Sequence, residues 1–396
     1  MTAEVAPELL AMSLKLPIYL DNHATTAVDP RVMAVMIPYF TEHYGNAASR
    51  QHAFGWRAEE AVEIARQHVA TAIGATGPEI VFTSGATEAN NLALFGVAKA
   101  YAHKGKHIVT QCTEHKAVLD PCRLLEQRGF EVTYVPVDKF VKVDLVRLSE
   151  AITKNTILVS IMHANNEIGT VQPLGEIGRL CSERDVLFHS DVAQSLGKIS
   201  VDVQGMGLHL VSMSAHKTYG PKGVGALYVR RKSPRVNLKP MIQGGGHERG
   251  LRAGTLNVAG IVGFGEACRL ALDDMPAESQ RLIGLRDGLW ERIRGEVEHV
   301  RLNGPEKGRH PGNLNVSFGG IDGEMLLMRL RDICVSSGAA CASATQEPSH
   351  VLRAIGVSDD MIHSSIRLGI GRFNTSEEIE HAATVLTRTV TELRHR

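Results

Sequence analysis

Apolar positions along the first two thirds of the chain fall into two alternating patterns. Short β-rich runs occur at Ile80–Thr83, His107–Thr110, Val132–Val135, Ile157–Met162, Val186–His189, Leu208–Ser212 and Gly225–Val229. Between most of them lie stretches long enough for helices, such as Ala117–Arg128 and Leu174–Arg184. Upstream, Trp56–Ile73 carries Ala58, Ala61, Val62, Ala65, Val69, Ala72 and Ile73 at helical spacing, and Gly74 is placed to end that helix. Buried apolar strands alternating with helices predict a mainly parallel α/β sheet. Ligands of such sheets bind beyond the carboxyl ends of the strands.

After about residue 260 the pattern changes. A polar helix is predicted at Ala277–Glu296, then a strand at Asn313–Phe318, a helix at Asp322–Arg331 and a short run through Val335. The last helix opens on Thr375-Ser376-Glu377-Glu378, a capping-box pattern. The expected organisation is a large α/β domain over residues 16–262 and a smaller α+β domain over residues 263–396. The smaller domain takes in the N-terminal segment 1–30 through a strand near Ile18–Leu20.

Composition narrows the function. Among 396 residues, Lys+Arg and Asp+Glu are equal at 43 each, so no basic excess points to nucleic acid. No apolar run is long enough to span a bilayer. The first fifteen residues hold one lysine and two glutamates, which fits neither a secretory signal nor an Arg-rich transit peptide. The expected compartment is the cytoplasm. Six cysteines are scattered without a Cys-x-x-Cys pair or a repeated Cys/His spacing, so neither a disulfide framework nor a metal site is expected.

The candidate chemistry sits where strands end. Lys217 closes Ser214-Ala215-His216-Lys217 after one apolar run, and a glycine-rich stretch follows it. Asp191, twenty-six residues upstream in His189-Ser190-Asp191-Val192-Ala193-Gln194, closes another. A lysine and an aspartate on adjacent strand ends are what pyridoxal phosphate requires: an amine for its aldehyde, and a carboxylate to keep its pyridine nitrogen protonated. Ser84-Gly85-Ala86-Thr87-Glu88 follows a strand and opens a helix, which suits a phosphate as well as an ordinary helix cap. His115 and the segment Asn165-Asn166-Glu167-Ile168-Gly169 also follow strands: the histidine fits stacking on a cofactor ring and proton relay, though an ordinary loop histidine is the plainer reading, and the Asn amide fits donation to a phenolate oxygen or plain turn chemistry. Gln243–Arg249 and Arg252–Thr255 form a polar glycine-rich loop. Cys341 lies in a stretch of small residues, where a thiol can serve as a nucleophile if its thiolate is stabilised. Cys334 reads as a core residue.

Together these motifs resemble the cysteine desulfurases of the NifS/IscS type. The resemblance runs from Tyr19-Leu20-Asp21-Asn22-His23-Ala24-Thr25-Thr26 to Ser364-Ser365-Ile366-Arg367-Leu368-Gly369. It implies the fold-type I, aspartate-aminotransferase-like architecture and a homodimer. It implies that Lys217 holds pyridoxal phosphate, Asp191 pairs with the ring nitrogen, and Gln194 and Asn166 bond the ring oxygen. His115 stacks on the ring and takes part in catalysis. The Ala86 backbone, Thr87, Ser214 and His216 hold the phosphate, with Thr255 coming from the partner subunit. Arg367, assisted by Asn166, clamps the carboxylate of L-cysteine, and Cys341 accepts the sulfur for delivery to an acceptor such as an iron–sulfur scaffold. A selenocysteine lyase or another class V aminotransferase-like enzyme is the alternative reading. The chain departs from the usual loop at Ser337-Gly338-Ala339-Ala340-Cys341-Ala342, where two family hydroxyls are missing.

Overall fold

The computed structural model describes residues 14–337 and 348–395. Seven strands form the main sheet: β1 (Ile80–Thr83), β2 (His107–Gln111), β3 (Glu131–Val135), β4 (Thr156–Ser160), β5 (Leu187–Asp191), β6 (Leu210–Ser214) and β7 (Gly225–Val229). Their spatial order is β1-β7-β6-β5-β4-β2-β3. The pairs from β6 through β3 are parallel, and β7 runs antiparallel to both its neighbours. Six strands therefore share one carboxyl edge. The mainly parallel sheet read from the sequence is present, with strand limits shifted by up to two residues.

Helices cover both faces, which explains strands that are apolar on consecutive residues. Val109, Val159, Phe188 and Val211 face a core shared with the helices Ala53–Thr71 and Leu174–Glu183. Ile108, Leu158, Leu187 and Leu210 face the opposite core, against the helices Ala86–Tyr101 and Lys116–Gln127.

A second core is built on a four-stranded antiparallel sheet in the order Ser336–Ser337, Ser365–Gly369, Asn313–Phe318, Val300–Leu302. Ile18 and Leu20 join this core, and the strand Ile18–Tyr19 pairs in parallel with Ile333–Cys334. The helix expected at Ala277–Glu296 in fact begins at Val258 and runs unbroken to Glu296. A division at residue 262 thus falls inside a helix. Its first turns bury Val258, Ile261, Phe264 and Cys268 against the large sheet, and its last turns bury Leu289 and Ile293 in the second core. The change of composition near residue 260 records this change of neighbours, not a break in the chain. Cys334, read as core, is only half-buried.

The glycine-rich loop is pinned by a buried ion pair. Glu248 accepts both Arg66 Nη atoms at 2.8 Å and the Phe82 amide at 2.7 Å. Both side chains are almost fully enclosed, at 4% and 2% exposure, and the guanidinium lies 4.7 Å from the Phe82 ring centroid. Removing one partner of such a pair strands the other charge in a poor solvent. Glu248→Ala is expected to lower stability by about 3 kcal/mol in denaturant unfolding. A loss below roughly 1 kcal/mol would show that water reaches Arg66.

Candidate active site

The carboxyl edge opens onto a cavity of about 500 Å³. Of the twelve residues singled out from the sequence, Ala86, Thr87, His115, Asn166, Asp191, Gln194, Ser214, His216, Lys217 and Arg367 line it. Thr255 does not; it lies on the exposed glycine-rich loop. Cys341 lies outside the described residues.

Asp191 is the last residue of β5 and is 7% exposed. One carboxylate oxygen accepts Asn90 Nδ2 at 2.7 Å, and the other accepts the Ala193 amide at 2.9 Å. Parallel pairing sets Asp191 opposite Ser212 of β6, and the short turn after that strand carries Lys217. The turn is held by the N-terminal segment. Thr26 gives its hydroxyl to the His216 carbonyl at 3.0 Å, and the same oxygen accepts the Tyr219 amide at 3.0 Å.

The helix Ala86–Tyr101 begins at the cavity, on Gly85. A Cβ built on Gly85 or Gly223, both cavity-lining, meets no heavy atom within 4 Å. Gly225 is the tight position: a Cβ there lies 2.4 Å from the Met213 carbonyl oxygen and 2.7 Å from Gly85 Cα. The helix N-terminus suits an anion. With an amine at Lys217, a held carboxylate at Asp191 and an open helix start, the residues fit pyridoxal phosphate.

Burial makes the histidines here neutral. His115 is pushed below the usual histidine range by burial and then by the neighbouring Lys217 charge. Its Nδ1 accepts the Ala117 amide at 3.0 Å, so the neutral ring carries its proton on Nε2. His216 falls to about 4, through burial and then Lys217, Lys222 and Lys198. Its Nδ1 lies 3.1 Å from the Thr25 hydroxyl. Glu114 moves the other way, up to about 8, because burial penalises its charge.

Arg367 sits on the strand Ser365–Gly369 of the second sheet and is 2% exposed. Its Nη2 donates to Asp21 Oδ1 at 2.8 Å and its Nη1 to the Asn166 carbonyl at 3.1 Å. Its Nε has no hydrogen-bond partner among the described residues. In the Asn165-Asn166 pair the tasks divide. Asn165 Oδ1 accepts the Glu167 and Ile168 amides and shapes the turn, while Asn166 faces the cavity. Gln194 is engaged with His23 through both amide atoms, at 3.0 Å and 2.9 Å.

Sequence reasoning gave no role to Asn90, His23 or Thr25. Asn90 was legible as a polar residue inside the buried stripe Ala89, Ala93, Leu94, Val97 of its helix. His23 and Thr25 belong to a polar run directly after the apolar strand near Ile18.

The model of the family described as aminotransferase class-V matches residues 18–381. A cysteine desulfurase IscS from Anaeromyxobacter sp. (strain Fw109-5) is 56% identical over 381 residues, covering 96% of this chain and 94% of that protein. One from Rickettsia prowazekii (strain Madrid E) is 52% identical over 382 residues, covering 96% and 93%. Among solved structures, a NifS-like protein superposes with a TM-score of 0.89 at 37% identity, covering 96% of this chain and all of that one. SspA in complex with cysteine gives a TM-score of 0.80 at 36% identity, over 90% of this chain and all of that one. The family match over residues 18–381 and identities of 52–56% over 96% of the chain place it in the class-V aminotransferase family, among its cysteine desulfurases.

Proposed function

We propose that the chain is a pyridoxal-phosphate-dependent cysteine desulfurase. It takes sulfur from L-cysteine, releases L-alanine and keeps the sulfur as a persulfide on Cys341 for an acceptor protein such as an iron–sulfur scaffold. The observation that carries this reading is the convergence of Lys217, Asp191 and Arg367 on one cavity, in a chain 56% identical to a protein named cysteine desulfurase.

Pyridoxal phosphate, when bound, supplies a protonated ring that takes up the electron pair left at the substrate Cα. In this reading Lys217 holds it, Asp191 faces its ring nitrogen, and Asn166 and Gln194 bond its ring oxygen. His115 stacks on the ring. The Ala86 amide, Thr87, Ser214 and His216 hold its phosphate, with Thr255 reaching in from the partner subunit. Arg367 clamps the substrate carboxylate in a paired hydrogen bond, assisted by Asn166.

Lys217, as a neutral amine, removes the Cα proton and returns a proton later. The Cys341 thiolate attacks the substrate sulfur. A sulfur–sulfur bond forms as the Cβ–sulfur bond breaks, and the electron pair stays with the three-carbon fragment, which gains protons and leaves as L-alanine. Four of the other thiols suit this role poorly: burial raises Cys112, and it pushes Cys122 and Cys181 up to about 12 and Cys268 higher still. Thiols raised this far are not thiolates at neutral pH.

A homodimer is part of the reading. Ile37, Phe40, Tyr44, Phe54, Trp56 and Ile64 are each about half exposed or more on the N-terminal helices and the segment between them. Apolar exposure of this extent suits a partner surface. Among the described residues no helix is long and apolar enough to cross a membrane, which is in keeping with a cytoplasmic enzyme.

Lys217→Ala is expected to abolish the visible absorbance of the cofactor-loaded protein; a retained band would reassign the cofactor lysine. Cys341→Ala should keep that band and stop alanine release from L-cysteine. Undiminished turnover there would favour a lyase that frees sulfide without a protein nucleophile. Arg367→Ala should raise KM for L-cysteine roughly 10-fold or more in steady-state assays, since charge-assisted bonds contribute about 1.5–3 kcal/mol. An unchanged KM removes its clamp role.

A further inference from the structure

Lys198 is a buried cation that this mechanism leaves unused. It is 7% exposed and follows Gly197, which has φ +71°. A Cβ on Gly197 would lie 2.6 Å from Ala271 Cβ and 2.7 Å from Thr218 Cγ2. The segment is therefore pressed between the helix Val258–Glu296 and the turn that carries Lys217. Thr218 donates its hydroxyl to the Leu196 carbonyl at 3.1 Å, and Ser279 donates to the Lys198 carbonyl at 2.9 Å. Lys198 Nζ donates to the main-chain carbonyl of Lys217 at 2.5 Å and lies 4.8 Å from the Tyr219 ring centroid.

We propose that Lys198 is a positioning residue for the reaction: its ammonium fixes the Lys217 main chain and adds a positive charge to the surroundings of Lys217, so that Lys217 gives up its proton near neutral pH. A buried lysine is a costly way to bond one carbonyl, because its charge must be desolvated and a neutral amide would make the same bond. The charge itself then needs a use, and the Lys217 amine provides one. Like charges in close quarters favour the neutral form of each.

The groups around Lys198 are named by their elements. Glu278, from the long helix, opposes its positive charge. Glu278 thereby favours the ammonium form, whereas Arg372, from the loop after Ser365–Gly369, and Lys217 disfavour it as like charges. The Arg372 guanidinium shares the Tyr219 ring at 4.3 Å and bonds Glu278 at 2.7 Å and Asp29 at 2.8 Å. His23, His216 and His310 also feel the Lys198 charge, and burial keeps all three neutral. Burial, first of all, brings Lys198 itself down to about 8, so its charge is present at neutral pH and lost above that value.

The inference rests on the reading of Lys217 as the cofactor lysine. The test is a pH titration of the visible band in cofactor-loaded wild type, Lys198→Met, Lys198→Gln and Lys198→Arg. In the two neutral variants the midpoint should rise by about one pH unit, and in Lys198→Arg it should stay near the wild-type value. A midpoint unmoved in whichever neutral variant loads the cofactor would overturn the proposal. A rise shared equally by Lys198→Arg would also overturn it, since packing rather than charge would then be responsible. Failure of the Lys217 reading shows instead in the wild-type band and in Lys217→Ala.

Discussion

Parallel pairing between β5 and β6 is the constraint on which the site depends. It sets Asp191 opposite Ser212, and the turn that follows returns Lys217 to the same edge. Neighbouring parallel strands end together, so a carboxylate and an amine far apart in sequence face one cavity without any long-range device. The antiparallel β7 completes the arrangement by starting at that edge. Gly225 lets its backbone pass the start of the helix Ala86–Tyr101 at a distance no side chain allows.

Burial then decides what each group can do. His115 and His216 are both driven to the neutral form, so they act as hydrogen-bonding rings and not as cations. The Ala117 amide selects the tautomer of His115 and leaves its Nε2 proton as the donor. Glu114, directly before it, is held protonated at neutral pH by the same desolvation. It anchors the Met162 amide at 2.7 Å and Gln111 at 2.7 Å. The carboxyl beside His115 is thus a structural tie between the ends of β2 and β4.

The strands and most of the cavity were legible because both come from short-range rules. Apolar runs marked β1 to β7, and motif residues at their ends fell on the cavity wall. What escaped depends on contacts between distant segments. Asn90 supports Asp191 across 101 positions, and nothing local to either residue announces the pair. The helix Val258–Glu296 was half missed because its apolar stripe changes partners midway: one core reads its first turns and the other its last. In the sequence, Glu248 of the glycine-rich loop reads only as part of a polar loop. In the fold it is a buried anchor for Arg66 and the Phe82 amide.

Arg367 and Lys217, the clamp and the base of the proposed function, belong to different sheets, and this division has a mechanical consequence. Arg367 is fixed at the centre of the second sheet, paired across to Asn315 and Ser336, whereas Lys217 is fixed to the first. Their separation is therefore set by whatever joins the two bodies. Besides the long helix Val258–Glu296, which packs into both cores, the joint includes charged bonds at least partly closed to water. Arg372, next to the clamp strand, holds Asp29 and Glu278, and its main-chain amide donates to the Tyr219 hydroxyl at 2.5 Å. Tyr219 in turn stands two residues from Lys217. Ion pairs of this kind add little net stability but resist sliding, because partial displacement leaves a desolvated charge unmatched. Alignment of a carboxylate clamp with an amine base demands that sort of stiffness more than it demands strength.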